Sequence, residues 1–353
     1  MPAPTSAPPS AQAPPADTPP AIAGHAPVLA AGPIGSQGRP LIVRLRNWVG
    51  DVILGVPALH LLQSYGYQPV LVGKGWTPAL LQGEGWAVHV RPDTLSERVA
   101  QLRGLRTQAR SLDPRFDGRE NALVLPTSFS GALEMRLAGL NAVGYQQEAR
   151  GFLLRRAEPI TYGGHALTSY WELACRFLGI QATPPAHIRL ATAPADQHMA
   201  DALLAAHGIR PGFVVVCPFA GGLFEKQEKT WPAFNEFTRT LLGRGRDVVA
   251  CPGPGEEALI PPDLVGVKML PGVKLGVYGG LLRRAALVVS NDTGPAHLAA
   301  AVGAPVLSVL GPTKPEQWAP WGPQVQVLRH WPRWPTVDEA LALTDARLGT
   351  RAA

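Results

Sequence analysis

The sequence contains few cysteines and no motif that would pair them. Cys175, Cys217 and Cys251 are an odd number, widely spaced, and each lies in an apolar run. This pattern excludes a disulfide framework, a Cys-x-x-Cys redox motif and the usual zinc-ligand spacings, and it is typical of a reducing, cytoplasmic compartment. The simplest role for all three is that of small core side chains.

Long apolar runs are absent as well. A membrane-spanning helix needs about 20 mostly apolar residues, and no uninterrupted run reaches that length. The N-terminus has no basic stretch followed by an apolar core, so we do not predict a secretory signal. No lysine- and arginine-rich block is interleaved with aromatic residues, which makes nucleic acid the least favoured partner.

Charged residues are few, at 16% of 353 residues, but they are unbalanced towards a net charge of +6, and arginine greatly outnumbers lysine. A basic chain favours acidic partners such as phosphorylated small molecules or an anionic membrane surface. The length, with 46% hydrophobic residues, allows about two domains of ordinary size.

The chain divides into a tail and a repeating α/β pattern. Residues 1–38 are rich in proline, alanine, serine and glycine with almost no charge, so we predict a disordered tail. From Arg39 onwards, short β-branched runs alternate with helical patterns, which predicts parallel strands with helices on both faces. No Gly-x-Gly-x-x-Gly follows the first strand of either half, which argues against a standard dinucleotide site.

A break in the pattern at Thr183-Pro184-Pro185 indicates a linker between two halves. We therefore predict an α/β protein with two Rossmann-like αβα domains that face each other across a cleft. The predicted N-terminal domain covers residues 39–185 and the C-terminal domain residues 186–328. A final helix within residues 329–353 is predicted to pack back on the N-terminal domain.

The polar turn Asn291-Asp292-Thr293-Gly294 lies between an apolar strand and a short apolar helix. Thr293 can cap that helix, and Gly294 lets the backbone approach a ligand or take an unusual φ. The free amides at a helix start, reinforced by the macrodipole, form an anion site. We predict that Asp292, Thr293 and Gly294 bind the diphosphate of a nucleotide-sugar, with His297 close by. The alternative is an ordinary capped helix with a hydrogen-bonded structural histidine.

Asp51 follows Gly50 at another predicted strand-to-helix turn. Open α/β sheets bind ligands at the carboxyl ends of their strands, so Asp51 is a candidate general base that takes the proton from an attacking hydroxyl. The alternative is that Asp51 only caps the helix.

Lys226 and Lys229 lie in a glycine-containing loop that follows a predicted strand. In a chain with few lysines, this position indicates contacts with phosphate, and an ammonium group there would stabilise a departing diphosphate. The alternative is a solvated loop in which lysines and glutamates neutralise each other.

Glu256 and Glu257 open a predicted helix at another strand end. An acidic residue at that point of a nucleotide-binding fold accepts hydrogen bonds from the ribose hydroxyls, and we favour Glu256 slightly for this role. Either residue is also compatible with simple pairing to the helix dipole.

These motifs together resemble the heptosyltransferases of glycosyltransferase family 9. The resemblance covers residues 39 to 330 approximately, and five motifs carry it in order: Trp48-Val49-Gly50-Asp51, Leu125-Pro126-Thr127-Ser128-Phe129, Lys229-Thr230-Trp231-Pro232, Asn291-Asp292-Thr293-Gly294 with His297, and Gly311-Pro312-Thr313.

The resemblance implies a GT-B fold and an inverting, metal-independent transfer, without a cofactor, from an ADP-heptose to the Kdo- or heptose-bearing core of a lipid A acceptor. It implies that Asp51 is the base, that Lys229 contacts the donor phosphates, and that Asp292, Thr293 and Gly294 cradle the diphosphate. It further implies a cytoplasmic protein peripheral to the inner membrane.

Ser128 and Arg155 are the predicted acceptor contacts. Arginines of the N-terminal half are candidates for the acceptor phosphates or the bilayer surface, with solvated helix faces as the alternative: Arg98, Arg103, Arg106, Arg110, Arg136, Arg150, Arg155 and Arg156. Other functions remain open, namely a family 9 transferase with another sugar or acceptor, a nucleotide-sugar epimerase on the same fold, and a non-catalytic carbohydrate- or lipid-binding protein.

Overall fold

The computed structural model describes residues 38–257, 261 and 264–349. It contains two parallel sheets of six strands each, which we call the first and second lobes. Apart from Gly38, the predicted tail at residues 1–38 lies outside the described residues. Among the described helices, none is both long enough and apolar enough to span a bilayer.

The first lobe alternates strands and helices from its first residue. Its elements are β1 (Arg39–Arg44), α1 (Val49–Ser64), β2 (Tyr67–Gly73), α2 (Thr77–Leu81), β3 (Ala87–Val90), α3 (Leu95–Leu112), β4 (Ala122–Val124), α4 (Phe129–Leu137), β5 (Ala142–Tyr145), β6 (Arg156–Glu158) and α5 (Ala166–Leu178). Short 3-10 turns lie at Gln82–Glu84, Phe116–Gly118 and Gly151–Leu153.

The second lobe repeats the alternation and adds a small hairpin. Its elements are α6 (Pro194–Ala206), β7 (Val214–Cys217), β8 (Leu223–Phe224), β9 (Gln227–Glu228), α7 (Phe234–Gly243), β10 (Val248–Ala250), β11 (Lys268–Met269), α8 (Leu275–Arg284), β12 (Leu287–Ser290), α9 (Gly294–Ala301), β13 (Val306–Val309), α10 (Pro315–Trp318), β14 (Val325–Leu328) and α11 (Val337–Leu348).

Both sheets have the same strand order. The first runs β3-β2-β1-β4-β5-β6 and the second β11-β10-β7-β12-β13-β14. When the six strands of each sheet are counted in chain order, the third is at one edge and the sixth at the other. This is the doubly wound Rossmann order, in which the chain reverses direction at the centre and ligands bind beyond the carboxyl ends of the strands. The predicted fold class is thereby confirmed.

The central strands are buried on both faces because their side chains alternate between two apolar layers. In β1, Leu41 and Val43 belong to one apolar cluster and Ile42 to another, and all three are fully buried. The cluster around Leu41 also contains Val215 and Leu298 of the second lobe, so one apolar core continues from lobe to lobe. The predicted boundary between residues 185 and 186 falls in the irregular segment between α5 and α6 and stays a prediction.

The prediction that the C-terminal helix packs on the N-terminal domain is wrong. Helix α11 lies against α7, β12 and β13 of the second lobe. Ala340 and Leu341 are buried in the same apolar cluster as Trp231 and Phe237, and Asp345 forms a 2.8 Å ion pair with Arg244. The apolar face of α11 is therefore satisfied within its own lobe.

Candidate active site

A cavity of about 540 Å³ lies between the lobes at the carboxyl ends of both sheets. The first lobe contributes the turn between β1 and α1, including Asp51. The second lobe contributes Lys229, the turn at Asp292–Gly294 and His297. The structure thus brings together, in one gap, the predicted base and the predicted diphosphate-binding turn.

Asp51 is in the first turn of α1 and is 8% exposed. Its Oδ1 accepts a 2.7 Å hydrogen bond from the hydroxyl of Tyr170 on α5 and lies 3.6 Å from Nε of Arg46. Among the described residues, no side chain caps the start of α1. The carboxylate is therefore held by two side chains at the cavity wall, which does not favour the simple capping role.

The pKa values of these two partners keep both of them as hydrogen-bond donors. Burial, followed by the charge of Asp51, raises the pKa of Tyr170 well above its usual value. Burial by itself would lower the pKa of Arg46, but the neighbouring Tyr170 and Asp51 raise it overall. Asp51 therefore faces a protonated phenol and a guanidinium, which fix its orientation.

The turn between β12 and α9 is held from below by Asn291, which is fully buried. Its Oδ1 accepts a 3.1 Å hydrogen bond from the amide of Trp231, and its Nδ2 donates to the carbonyl of Pro218. Thr293 occupies the N-cap position in an extended conformation without a side-chain capping bond. Pro295 has no amide N–H and the amide of Ala296 donates to the Thr293 carbonyl at 3.2 Å, so the donor that the start of α9 can offer is the amide of Gly294, a residue of the cavity wall.

Asp292 faces its own lobe. Its Oδ2 accepts a 2.9 Å hydrogen bond from the hydroxyl of Thr313 and lies 3.2 Å from Nζ of Lys229. Nζ of Lys229 also donates to the Asp292 carbonyl at 3.3 Å. The carboxylate of Asp292 thus holds the ammonium group of Lys229 beside the start of α9. The ammonium group and the positive end of the helix dipole both face the cavity.

Lys226 is not part of this arrangement. Glu225 and Lys226 form the tip of the β8–β9 hairpin, both with positive φ, and Lys226 is exposed and absent from the cavity wall. Glu225 forms a 3.4 Å ion pair with Lys314. Of the two predicted lysines, only Lys229 reaches the cavity.

Two glycines allow the lobes to approach each other at the floor of the cavity. A Cβ atom at Gly50 would lie 2.7 Å from Cδ2 of His297, and one at Gly294 would lie 2.9 Å from Cβ of Val49. The first turns of α1 and α9 therefore meet through a reciprocal contact that any side chain would obstruct. The close approach seen at Gly294 is to Val49 of the other lobe.

His297 is 5% exposed and lines the cavity. Its Nδ1 has no hydrogen-bond partner among the described residues. Burial lowers the pKa of His297 to about 4, against the opposing charges of Asp292 and Asp51, so the imidazole is neutral at physiological pH. A structural histidine normally has its ring nitrogens satisfied, but Nδ1 is itself buried, so the contact of His297 with a ligand stays a prediction.

The far end of the cavity is lined by Glu256, Tyr278, Cys217 and Cys251. Oε2 of Glu256 accepts a 2.8 Å hydrogen bond from the amide of Gly253, which closes its own turn. Glu257 is exposed and outside the cavity wall. The structure therefore agrees with the slight preference for Glu256, while its contact with a ribose stays a prediction.

A second cavity, of about 230 Å³, is lined mostly by the first lobe, with Gln317 and Trp318 of α10 also at its wall, and it shares Arg46 and Trp318 with the first cavity. Polar side chains at its wall are Thr127, Gln147, Thr161, Tyr162, Ser169 and Tyr170. The predicted acceptor contacts Ser128 and Arg155 are not on this wall, and Arg155 is exposed elsewhere on the surface. From the motif that contains Ser128, the residue on the wall of the second cavity is Thr127, one position earlier.

Sequence reasoning missed Arg46 and Tyr170, which hold Asp51. Tyr170 is 119 residues away from Asp51 in the chain, and its helix reads as an ordinary amphipathic one, so no local pattern indicates the contact. Arg46 did carry a signal, since it lies directly before the predicted turn at residues 47–51 that contains Asp51.

Comparison with known proteins gives consistent matches. The family model for glycosyltransferase family 9 (heptosyltransferase) matches residues 110–343. Lipopolysaccharide heptosyltransferase 3 of Escherichia coli strain K12 is 32% identical over 128 residues, which are 33% of this chain and 36% of that protein. The match therefore spans about a third of the length of that relative, at 36%.

Two further matches extend over most of the chain. Lipopolysaccharide heptosyltransferase 2 of the same strain is 24% identical over 305 residues, covering 80% of this chain and 86% of that protein. The solved structure of E. coli ADP-heptose lipopolysaccharide heptosyltransferase II has a TM-score of 0.70 at 21% identity and covers 88% of this chain and 98% of that one. This structural likeness extends to both lobes.

Proposed function

The chain belongs to glycosyltransferase family 9, and from this membership we propose that it transfers a heptose from an ADP-heptose donor to the inner core of lipopolysaccharide. The relatives that it matches are heptosyltransferases of lipopolysaccharide, and one of them is described as an ADP-heptose enzyme. The residues Trp48-Val49 ahead of Gly50-Asp51 resemble the second heptosyltransferase of the family more than the first, so we propose addition of the second heptose.

One observation carries the proposal: Asp51 of the first lobe and the α9 start with Lys229 of the second lobe line a single cavity. Transfer between a sugar diphosphate and an alcohol needs a base on one side and positive charge on the other. The two lobes offer these two features separately and across a gap of about 540 Å³, a size that lies in the range of ordinary ligand pockets.

The proposed reaction is a direct displacement. The acceptor hydroxyl oxygen attacks the anomeric carbon of the heptose while the carboxylate of Asp51 takes the hydroxyl proton. The bond from the anomeric carbon to the β-phosphate oxygen breaks, its electron pair leaves with ADP, and the configuration at that carbon inverts. No covalent enzyme intermediate is needed, so one carboxylate suffices.

The departing ADP gains negative charge that the second lobe is arranged to stabilise. We infer that the amide of Gly294, reinforced by the dipole of α9, binds the β-phosphate and that Lys229, held by Asp292 at 3.2 Å, supplies the cation. Preorganised donors of this kind contribute roughly 10²- to 10³-fold each. They also remove the need for a metal in the proposed mechanism.

The acceptor in this proposal is a sugar on a lipid anchor, so the protein would act in the cytoplasm at the surface of the inner membrane. The second cavity supports this assignment because it adjoins Asp51 through Arg46 and Tyr170 and is lined by hydroxyl and amide side chains. Such side chains suit hydrogen bonds to a saccharide.

The test is to incubate the purified protein with ADP-heptose and a panel of truncated lipid A cores, and to weigh the products by mass spectrometry. We expect one core to gain the mass of a single heptose. A gain only with a different nucleotide-sugar would assign the chain to a family 9 transferase of other specificity. A change in the donor without any acceptor would indicate an epimerase instead.

A further inference from the structure

Most of the arginines that the sequence offered as contacts for phosphate or a bilayer are already engaged within the first lobe. Arg98 lies 3.7 Å from Glu134, and Arg106 and Arg110 pair with Asp117 at 2.8 and 3.1 Å. Arg156 pairs with Glu120 at 2.7 Å. The buried Arg150 donates to the carbonyls of Tyr145, Pro126 and Ser128.

The remaining three, Arg103, Arg136 and Arg155, are exposed, and none of them has an ion-pair partner in the part of the chain that the structure describes. Arg136 is on α4, and Arg103 donates to the carbonyl of Leu137 at the end of α4. Arg155 follows Phe152 by three residues, and the 3-10 turn of Phe152 packs on α4. Two of these cations therefore lie on or against α4, and the third follows the 3-10 turn that packs on it.

The outward side of α4 is apolar where a surface helix is normally polar. Phe129 and Leu137 are 38% and 45% exposed, Leu133 lies between them at helical spacing, and Phe152 is 74% exposed. The rings of Phe129 and Phe152 are 6.2 Å apart, so the four side chains are contiguous. We call this surface the α4 face: Phe129, Leu133, Leu137 and Phe152, bordered by Arg103, Arg136 and Arg155.

One acidic residue touches the α4 face. Oε2 of Glu148 accepts a 2.7 Å hydrogen bond from the amide of Phe129 at the start of α4, where a carboxylate complements the helix dipole. With three arginines and one engaged carboxylate, the local charge is positive. An apolar stripe with a basic border matches the surface of an anionic bilayer, which accepts both aromatic rings and guanidinium groups.

We propose that the α4 face docks on the anionic surface of a phospholipid bilayer. This inference rests on the proposed function for its purpose, since a lipid-anchored acceptor has to be reached at the membrane. The position fits, because Gln147 and Thr127 line the second cavity while their chain neighbours Glu148 and Ser128 adjoin the start of α4. Docking would bring the mouth of that cavity to the lipid surface.

The experiment is co-sedimentation of the full chain, without donor or acceptor, with vesicles of phosphatidylcholine alone or mixed with phosphatidylglycerol. We expect binding to the mixed vesicles that falls as salt is raised. The double variant F129S/F152S should bind at least about tenfold more weakly because two aromatic rings are lost. The double variant R136Q/R155Q should bind roughly 25-fold more weakly, at about fivefold for each arginine.

Met199→Ser is the matched control, since Met199 is 53% exposed on α6 of the second lobe; this variant should bind vesicles like the parent. Equal binding of the parent to both vesicle types, or equal weakening by Met199→Ser, would overturn the proposal. So would self-association that F129S/F152S abolishes while vesicle binding persists, because the α4 face would then contact a second copy.

The two proposals fail separately. Transfer to a lipid-free core saccharide measures the proposed function without a membrane, and F129S/F152S should keep the parent rate in that assay. Vesicle binding without any transfer would leave docking standing and refute the proposed reaction. Transfer to the soluble saccharide without vesicle binding would do the reverse.

Discussion

The turns that open α1 and α9 are built alike and present opposite chemistry. Each follows a buried parallel strand, begins a helix without a side-chain cap, and has a glycine that lets the other turn approach. In the first lobe the acidic residue, Asp51, faces the cavity and is held by Tyr170 and Arg46. In the second, Asp292 faces its own lobe and holds Lys229. Distant partners, more than the local motif, decide whether a turn offers negative or positive charge.

Replacing Asp51 with asparagine removes the negative charge that the turn of the first lobe offers to the cavity. The amide keeps the size of the side chain but cannot take a proton, so kcat should fall by roughly 10²- to 10⁴-fold. The affinity for ADP, measured by calorimetry, should stay close to that of the parent because the second lobe is untouched. An unchanged kcat would remove Asp51 from the reaction.

The variants Lys229→Ala and Lys226→Ala compare a lysine on the cavity wall with a lysine at the tip of the β8–β9 hairpin. Loss of the Lys229 ammonium should lower kcat/KM by roughly 10²- to 10³-fold and weaken ADP binding. Lys226→Ala is the matched control, since that side chain is exposed at the hairpin tip, and steady-state kinetics should give the parent values. Equal losses in both variants would contradict the difference between the two lysines.

Tyr170→Phe tests whether a remote side chain orients the base. A hydrogen bond to a charged group contributes about 1.5–3 kcal/mol, so we expect kcat to fall roughly 10- to 100-fold. The affinity for ADP should stay close to that of the parent, because Tyr170 lies in the first lobe and contacts Asp51. A parent value of kcat, or a loss of ADP affinity as large as the loss of rate, would contradict this positioning role.

Gly294→Ala tests the contact between the two turns. The added methyl group would meet Val49 at 2.9 Å, and overpacking of this kind destabilises by about 1–3 kcal/mol. Gly104→Ala is the control, because a Cβ in the middle of α3 has nothing within 4 Å and should stabilise the helix by roughly 0.5–1 kcal/mol. Chemical denaturation should therefore give free energies of unfolding that change in opposite directions.

His297 makes the contact between the turns sensitive to pH. The folded pKa of about 4 lies below the usual value of 6.5, so between these values the unfolded chain binds a proton that the folded chain does not, and stability falls as pH falls. The expected loss is about 2 kcal/mol between roughly pH 7 and pH 5. His297→Asn should flatten this part of the stability profile, and a slope equal to that of the parent would contradict the assignment.

The sequence allowed prediction of the local structure more fully than of its contacts. The helical patterns of the sequence predict helices at residues 95–112, 166–178, 275–284 and 337–348, and α3, α5, α8 and α11 have these bounds. Prediction missed the short strands β3, β5, β6, β11 and β14 and the hairpin strands β8 and β9. Each has only two to four residues, and β3, β6, β11 and β14 lie at sheet edges.

In the candidate site, too, local features could be predicted and contacts between distant residues could not. Asp51, Lys229 and the turn at Asp292–Gly294 were identified because each follows a strand, and the topology then brings strand ends together. The partners of Asp51, the direction of Asp292 and the packing of α11 depend on which surfaces meet across the fold. That information is not contained in any window of the sequence.

The apolar core that runs from Leu41 through Leu298 has a consequence for how the molecule unfolds and how it can be recombined. Two Rossmann units with separate interiors would melt as two transitions, whereas a shared interior favours a single cooperative one. The shared core also means that neither lobe can be exchanged independently of the other. A chimera that takes its donor half from a relative would need Val49, Gly50, Gly294 and His297 to match as one set, whatever the identity elsewhere.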